Sequence, residues 1–249
     1  EVHLLPLLEE NDYLVDFDAV DQNVLERAKL VFLNYPNNPT AACAQKDFFT
    51  DAIRHAREHG FMICHDAAYT EIAYDGFKPV SFLQAQGAKE IGIEFHSLSK
   101  TFNMTGWRIG FACGNSKILE LLSKVKANLD SGIFQAIQWA GIKALSHARE
   151  EAEKNSRIYE ARRNLLVDGL NSLGWRVAKP KATFYVWAPV PPGSTSQEFA
   201  TRLLKEASLV VTPGNGFGPN GEGYFRMSLT LRDERIGAAV ERIKQLHSR

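Results

Sequence analysis

Residues 96–110 read HSLSKTFNMTGWRIG, and a short apolar run at 91–95 comes directly before them. The run is typical of a buried β-strand, so the polar stretch begins where that strand ends. Lys100 stands there among small hydroxyl side chains, with Ser97 three residues before it and Arg108 eight residues after it. The same succession of an apolar run and a polar end occurs twice upstream, and it decides the fold.

Two earlier apolar runs have polar ends of the same kind. Residues 30–33 lead into YPNNPT at 35–40, and residues 61–64 lead into HDAAY at 65–69. Between them, residues 44–59 have apolar side chains at helical spacing and are followed by Gly60. Strands that alternate with helices predict right-handed crossovers and a mostly parallel sheet flanked by helices, which is the α/β class.

The rest of the chain predicts a second, smaller unit. Helical periodicity covers residues 18–27, 116–127, 128–145, 147–173, 196–207 and 232–247. The first of these helices is expected to begin at Asp18. Strand patterns occupy residues 175–178, 182–188, 209–212 and 223–230. We therefore expect a large domain at 1–150 and a small α+β domain at 151–249 that includes the connecting helix.

The polar strand ends predict a binding site. Asn38 follows the first strand, Asp66 and Tyr69 follow the second, and Ser97 and Lys100 follow the third. In an open α/β sheet, ligands bind beyond the carboxyl ends of the strands, so we expect these side chains to converge at one edge. One polar turn would carry little weight, but three successive strand ends form a much stronger pattern.

The lysine and the arginine indicate a phosphorylated coenzyme. Desolvation of an amine at a strand end lowers its pKa and makes it nucleophilic toward carbonyls, although a lone lysine is more often a solvated surface residue. Arg108 has a planar guanidinium suited to phosphate, and Ser97 offers a hydroxyl to the same group. Together they suggest a Schiff base between Lys100 and pyridoxal 5'-phosphate (PLP).

Three further residues fit the PLP ring. Asp66 would keep the pyridine nitrogen protonated so that the ring withdraws electrons, and Tyr69 and Asn38 would donate to the 3-oxygen. Lys100 would also move a proton between the substrate α-carbon and the coenzyme. Each of the three has a plainer alternative: Asp66 caps a turn, Tyr69 packs as an aromatic, and Asn38 belongs to an Asn-Pro turn.

Arg226 is the candidate anchor for a substrate carboxylate. It lies inside the apolar run at 224–229, where an arginine should have an anionic partner. A guanidinium binds a carboxylate through two parallel hydrogen bonds, which gives orientation as well as affinity. A structural ion pair with one of the glutamates is the alternative.

Composition and charge argue against several kinds of binding partner and location. Lys plus Arg and Asp plus Glu each number 29, and this zero net charge argues against a nucleic-acid partner or an anionic membrane. No apolar run approaches the roughly 18 residues of a membrane span, and the start has no signal-peptide pattern. Three cysteines without metal-ligand spacing predict reduced thiols in the cytoplasm and no metal site.

Four motifs together resemble those of class I/II (fold type I) PLP-dependent aminotransferases. They are YPNNPT at 35–40, HDAAY at 65–69, the stretch at 97–110 and FRMS at 225–228. The resemblance implies the PLP-transferase fold, amino acid and 2-oxo acid substrates, and a homodimer with a shared active site. It also implies the PLP-binding roles given above for Asn38, Asp66, Tyr69, Ser97, Lys100 and Arg108, and carboxylate binding by Arg226.

Within this family, residues 64–73 and 92–100 look most like those of bacterial LL-diaminopimelate aminotransferases. Those enzymes exchange an amino group between glutamate/2-oxoglutarate and the tetrahydrodipicolinate/LL-diaminopimelate pair in lysine biosynthesis. Asn128, ahead of SGIFQ at 131–135, resembles a substrate-contacting asparagine of that subgroup. The motifs would equally serve an aspartate-, alanine- or aromatic-type aminotransferase, a β-lyase, or an aminotransferase-like ligand-sensing domain of a regulator.

Two departures from the family pattern have consequences. Ala41 replaces the usual glycine after Asn-Pro-Thr, which is expected to shift the turn slightly without removing a functional group. Family members are longer at the N-terminus, so we expect this chain to begin inside the large domain. It would then lack a phosphate loop, an aromatic that stacks on the PLP ring and a substrate gate. A PLP titration of the 249 residues alone is expected to show poor binding.

Overall fold

The computed structural model describes residues 1–247, and a four-stranded sheet organises its first half. The strands are β1 (Leu30–Asn34), β2 (Met62–Asp66), β3 (Gly92–Ser97) and β4 (Gly110–Gly114). They are ordered β1-β2-β3-β4, with the first three parallel and β4 antiparallel to β3. The expected α/β class with a mostly parallel sheet is therefore confirmed, and the antiparallel edge strand adds to it.

Helices connect and flank the strands. They are α1 (Gln22–Arg27), α2 (Lys46–His59), α3 (Ala88–Ile91), α4 (Leu98–Thr101), α5 (Ser116–Leu129) and α6 (Gln135–Ser146). Of these, α2 packs on the sheet because its apolar residues recur on one face. In α2, Phe49, Ala52 and Ile53 are buried at helical spacing and pack with Ile63 of β2 in one core. Gly60 ends this helix in the left-handed conformation, with φ of 74°, as the sequence predicts.

A second, antiparallel sheet lies in the last third of the chain. Its strands are β5 (Tyr185–Pro189), β6 (Thr212–Pro213) and β7 (Tyr224–Ser228), in the order β5-β7-β6. The helices there are α7 (Ala148–Ser172), α8 (Ser196–Ala207) and α9 (Asp233–His247). Short 3-10 turns occupy Glu9–Asn11, Phe82–Gln84, Thr105–Trp107, Gly214–Phe217 and Pro219–Gly221. A second hydrophobic core joins these elements and also contains Tyr69, Ile72 and Tyr74 from the segment after β2.

The first helix does not open at Asp18 as predicted. The carboxylate of Asp21 caps it by accepting the Asn23 N–H at 2.8 Å, so the helix begins at Gln22. Asp18 lies instead in a turn in which Asp16 accepts its N–H at 3.1 Å. Several nearby acids gave the sequence more than one possible cap, and the geometry selects the last of them.

Several predicted elements in the second half are shorter than expected or interrupted. The predicted strand at 175–178 is absent from the described sheets, because the Asn171 side chain bonds both the N–H and the C=O of Val177. The strand predicted at 209–212 is reduced to Thr212–Pro213, and the helical region at 128–145 is broken between α5 and α6. Within residues 1–247, none of the helices has the length and hydrophobicity needed to cross a bilayer.

The loop after β1 holds Ala41 at φ of 61°, the left-handed region that suits glycine. Replacing Ala41 with glycine relieves about 1–2 kcal/mol of backbone strain. It also costs about 0.5–1 kcal/mol of chain entropy and about 0.8 kcal/mol for a lost buried methyl group. We expect Ala41→Gly to leave the free energy of unfolding within about 0.5 kcal/mol, because these contributions nearly cancel.

Ala41→Val is the contrasting variant. A β-branched side chain at this φ clashes with its own backbone and overpacks a buried position, so it should cost about 2 kcal/mol or more. Urea unfolding of both variants measures the difference. Equal stability of the glycine and valine variants would contradict a left-handed, buried residue 41.

Candidate active site

The carboxyl ends of the first two strands are joined through Asn34. Asn34 and Asp66 are the last paired residues of β1 and β2, and Asp66 pairs onward with Phe95 of β3. The Asn34 amide donates to the Asp66 carbonyl at 2.9 Å, and its oxygen accepts the Asn38 N–H at 2.8 Å. These bonds bring Asn38 and Asp66 to the same edge of the sheet, as the strand pattern predicts.

The end of β3 positions the lysine. Ser97 caps the short helix α4 by accepting the Ser99 N–H at 3.2 Å, and Lys100 is the third residue of that helix. The Lys100 side chain is half-buried. Within the described residues, its amine has no hydrogen-bond or ion-pair partner. A ligand can therefore engage this amine without first breaking an ion pair.

Arg108 lies on the connection that returns from α4 to β4. Its backbone has φ of 53°, and its exposed guanidinium donates to the Thr105 carbonyl at 3.0 Å. Gly110, two residues on, pairs with Ser97, and a Cβ there would lie 2.5 Å from the His96 carbonyl. Glycine therefore permits the close strand approach that brings the connection carrying Arg108 back beside Ser97.

Arg226 reaches from the second sheet to the edge of the first. Its Nη1 donates to the Asn38 side-chain oxygen at 2.6 Å, and its Nη2 lies 3.4 Å from the Thr212 hydroxyl. The guanidinium carbon is 4.1 Å from the centre of the Tyr185 ring and 4.8 Å from that of Phe217. Among the described residues it has no ion pair with a glutamate, and its Nε is buried without a hydrogen-bond partner. Such a guanidinium favours an external anion.

Tyr69 lies among these groups. Its ring contacts that of Tyr185, with centres 5.8 Å apart. Burial raises the pKa of the Tyr69 phenol, the neighbouring Tyr185 and Asp66 raise it further, and Arg226 opposes them. The phenol therefore stays protonated at neutral pH and is available as a hydrogen-bond donor. Asn38, Asp66, Tyr69 and Arg226 form one connected group.

Asn128 is not connected to that group by the contacts of its side chain. It lies exposed near the end of α5, and its amide donates to the Lys124 carbonyl at 2.7 Å within the same helix. Its expected substrate contact stays a prediction.

A family model supplies the deciding comparison. The model for aminotransferase class I and II matches residues 1–243 of the chain. The chain belongs to the class I and II aminotransferases. The resemblance seen in its four motifs is thereby confirmed.

Relatives of this chain include two curated LL-diaminopimelate aminotransferases. Those of Moorella thermoacetica and Syntrophobacter fumaroxidans are each 53% identical over 246 residues. In both cases the match covers 99% of this chain and 63% of the relative. The chain thus spans less than two thirds of the length of these relatives.

Solved structures confirm the fold of the chain. Apo-BacF from Bacillus subtilis superimposes with a TM-score of 0.93 at 45% identity, covering 98% of this chain and 65% of the other. A probable N-succinyldiaminopimelate aminotransferase from Thermus thermophilus gives 0.90 at 37% identity, with 98% and 65% covered. The chain therefore has the same fold as these two solved structures.

Sequence reasoning missed several residues that shape the site. Asn34 links two strand ends, and Tyr185 and Phe217 enclose the Arg226 guanidinium. The aromatic run in β5 was a visible signal, since alternate residues of a strand share a face. Glu94 was missed as well, because an acid within an apolar run resembles an exposed strand position.

Glu94 is a buried carboxylate with four hydrogen-bond partners. Burial alone raises its pKa, but donors from His65, His96 and Ser81 outweigh it and hold the pKa below the ordinary value. The titratable side chains facing it are His65, His96 and Cys113. Because its folded pKa is depressed, Glu94 stabilises the fold above the unfolded pKa of about 4.3.

That stabilisation is expected to be lost as the pH falls from about 5 through the depressed folded pKa. Urea unfolding at pH 7, 5, 4 and 3 measures the effect. The free energy of unfolding should fall more steeply with acid in the wild type than in Glu94→Gln, whose amide does not titrate. Parallel pH profiles would contradict an ionised Glu94 in the folded protein.

Proposed function

We propose that the protein is a PLP-dependent aminotransferase that moves an amino group between an amino acid and a 2-oxo acid. Its proposed substrates are LL-diaminopimelate/tetrahydrodipicolinate and glutamate/2-oxoglutarate, the exchange used in lysine biosynthesis. The observation that carries the proposal is the 53% identity, over 99% of this chain, to proteins named LL-diaminopimelate aminotransferase.

The donor set fits PLP. The proposed ligands are the amine of Lys100, which has no partner among the described residues, the carboxylate of Asp66 and the protonated phenol of Tyr69. The amine would bind the aldehyde of the coenzyme, the carboxylate its pyridine nitrogen, and the phenol its 3-oxygen. When bound, PLP supplies a carbonyl carbon for amino-group exchange and a ring that stabilises negative charge at the substrate α-carbon.

The residues of this chain would then have distinct roles. Lys100 Nζ holds the coenzyme and carries the proton to and from the substrate α-carbon. The Asp66 carboxylate keeps the ring nitrogen protonated, and the Tyr69 hydroxyl donates to the 3-oxygen. The Asn38 amide shares that donation, while Ser97 and Arg108 bind the phosphate.

Arg226 would bind the α-carboxylate of the amino acid. Its Nη1 is already oriented by Asn38, and two aromatic rings limit its rotation. The free Nε offers a donor that a bound carboxylate satisfies. An anchor that is positioned before the substrate arrives loses little entropy on binding.

A homodimer is proposed for the same protein. Large apolar side chains of α5 and α6, among them Val125, Leu129 and Trp139, are exposed. Faces of this kind are typical of protein interfaces, and a second copy of the protein is the proposed partner. The division at about residue 150 is proposed as well, since most of the second core follows it, while Tyr69, Ile72 and Tyr74 join that core from the segment after β2. The three unpaired thiols suit a cytoplasmic enzyme.

The experiment is a coenzyme titration followed by a substrate panel, both on the full-length protein. We expect a visible absorbance band with PLP, and 2-oxoglutarate-dependent transamination of LL-diaminopimelate. Faster turnover of aspartate, alanine or an aromatic amino acid would identify that amino acid as the substrate instead. Release of pyruvate and ammonia would indicate a β-lyase, and PLP binding without turnover would favour a sensing domain.

A further inference from the structure

His65, directly before Asp66, is a fully buried imidazole with a defined polar environment. Its side chain is 0% exposed, and its cross-strand partner Glu94 is 1% exposed. Charged side chains are almost never buried this deeply unless they are paired. Such a pair restricts the strands that carry it.

The Glu94 carboxylate has no free acceptor site. One oxygen lies 2.8 Å from the Ser81 hydroxyl and 2.8 Å from His96 Nε2. The other accepts the Phe82 N–H at 2.8 Å and lies 3.0 Å from His65 Nδ1. An ionised carboxylate only accepts hydrogen bonds, so His65 Nδ1 must carry the proton and donate.

This donation determines what the other ring nitrogen does. His65 Nε2 lies 3.3 Å from the backbone nitrogen of Tyr35, which is an N–H donor. Nε2 can accept that hydrogen bond only while it is unprotonated. The contacts therefore select one neutral tautomer, with hydrogen bonds running from β3 through β2 to the residue that follows β1.

The imidazole also lies on the opposite face from the candidate site. Side chains alternate along a strand, so His65 and Glu94 face away from the side occupied by Asp66 and Ser97. The route from them to the site is the backbone. Asp66 directly follows His65, and Tyr35 begins the loop that carries Asn38.

We propose that His65, held in one tautomer by Glu94, is a positioning residue that fixes the Asn38 loop relative to Asp66. The Tyr35 N–H bonds to the imidazole where the β1–β2 pairing has ended at Asn34 and Asp66. The effect on PLP rests on the proposed function, because Asn38 and Asp66 are two of its proposed ligands. The tautomer itself does not depend on that function.

Nitrogen-15 NMR of histidine-labelled protein tests the tautomer without any variant. At pH 7 we expect His65 to show a protonated Nδ1 and a bare Nε2. A charged imidazolium, or a proton on Nε2, would overturn the proposal. This result is independent of whether PLP binds.

Two near-isosteric variants test the positioning. In His65→Asn the amide lies near the Nδ1 position, so the bond to Glu94 is kept and the acceptor for Tyr35 is lost. In His65→Gln the amide reaches the Nε2 position and keeps that acceptor. We expect the PLP dissociation constant to rise about tenfold in His65→Asn and less than about threefold in His65→Gln. A tenfold rise corresponds to the loss of about one net hydrogen bond.

Controls separate this proposal from the proposed function. Urea unfolding should show both variants folded, with similar stability, so that a general loss of structure cannot account for the difference. If the wild-type full-length protein binds PLP and the two variants bind it equally well, the positioning role is wrong. If the wild type itself does not bind PLP, the proposed function fails and the NMR result still decides the tautomer.

Discussion

Replacing Lys100 with alanine is expected to lower kcat for transamination by about 10⁴-fold, the upper end of what positioned proton transfer contributes. The variant would lose both the amine proposed to hold the coenzyme and the base proposed to move the α-proton. Steady-state kinetics on the full-length protein, with PLP in excess, measures the loss. Lys100→Arg should be as inactive, because a guanidinium keeps the charge but cannot act as a base at neutral pH.

Lys117→Ala is the matched control, since that lysine is exposed on α5 and outside the site. Its kcat should equal that of the wild type. Borohydride reduction followed by peptide mass spectrometry gives a second measurement, with the coenzyme label expected on Lys100. A label on another lysine, or full activity of Lys100→Ala, would disprove the assignment.

The strand ends show how much of the site a sequence can predict. Apolar runs ending in polar residues placed Asn38 and Asp66 correctly at one edge, because parallel strands share their carboxyl ends. The periodicity of α2 and its closing glycine were equally local signals. Features of this kind depend on a few neighbouring residues and can be read without tertiary information.

The errors arose where side chains outside a strand decide its hydrogen bonding. Val177 lies in a strand-like run, but Asn171 takes its backbone hydrogen bonds and prevents pairing with a sheet. Glu94 lies within a buried strand, and only the fold shows that Ser81 and two histidines surround it. Propensity cannot anticipate a partner that arrives from elsewhere in the chain.

The surroundings of Arg226 combine both kinds of information. Its position in an apolar run correctly marked it as unusual, but the sequence left open whether a glutamate neutralised it. The structure instead shows an amide, a hydroxyl and two aromatic rings around the guanidinium. The partners of the Arg226 guanidinium can be identified only when the second sheet is placed against the loop after β1.

Arg226→Lys is expected to lower kcat/KM for the amino acid by about 10²-fold. Charged hydrogen bonds contribute about 1.5–3 kcal/mol each, and lysine cannot reproduce the paired geometry of a guanidinium. The loss should appear mainly in KM, if the arginine binds the carboxylate equally in the ground state and the transition state. Arg202→Lys, in an exposed ion pair on α8, should leave the kinetics unchanged.

A substrate without a carboxylate distinguishes anchoring from a general disturbance of the site. A simple primary amine should react slowly with the wild type and at the same rate with Arg226→Lys, because neither enzyme can use the missing group. If the amine and the amino acid lost activity in equal proportion, Arg226 would be maintaining the site rather than binding the substrate. Its bond to Asn38 makes that outcome a real alternative, so unfolding curves and PLP affinity of the variant should be measured in parallel. Unchanged PLP affinity together with a carboxylate-specific loss is the result that the free Nε and the surrounding aromatic rings lead us to expect.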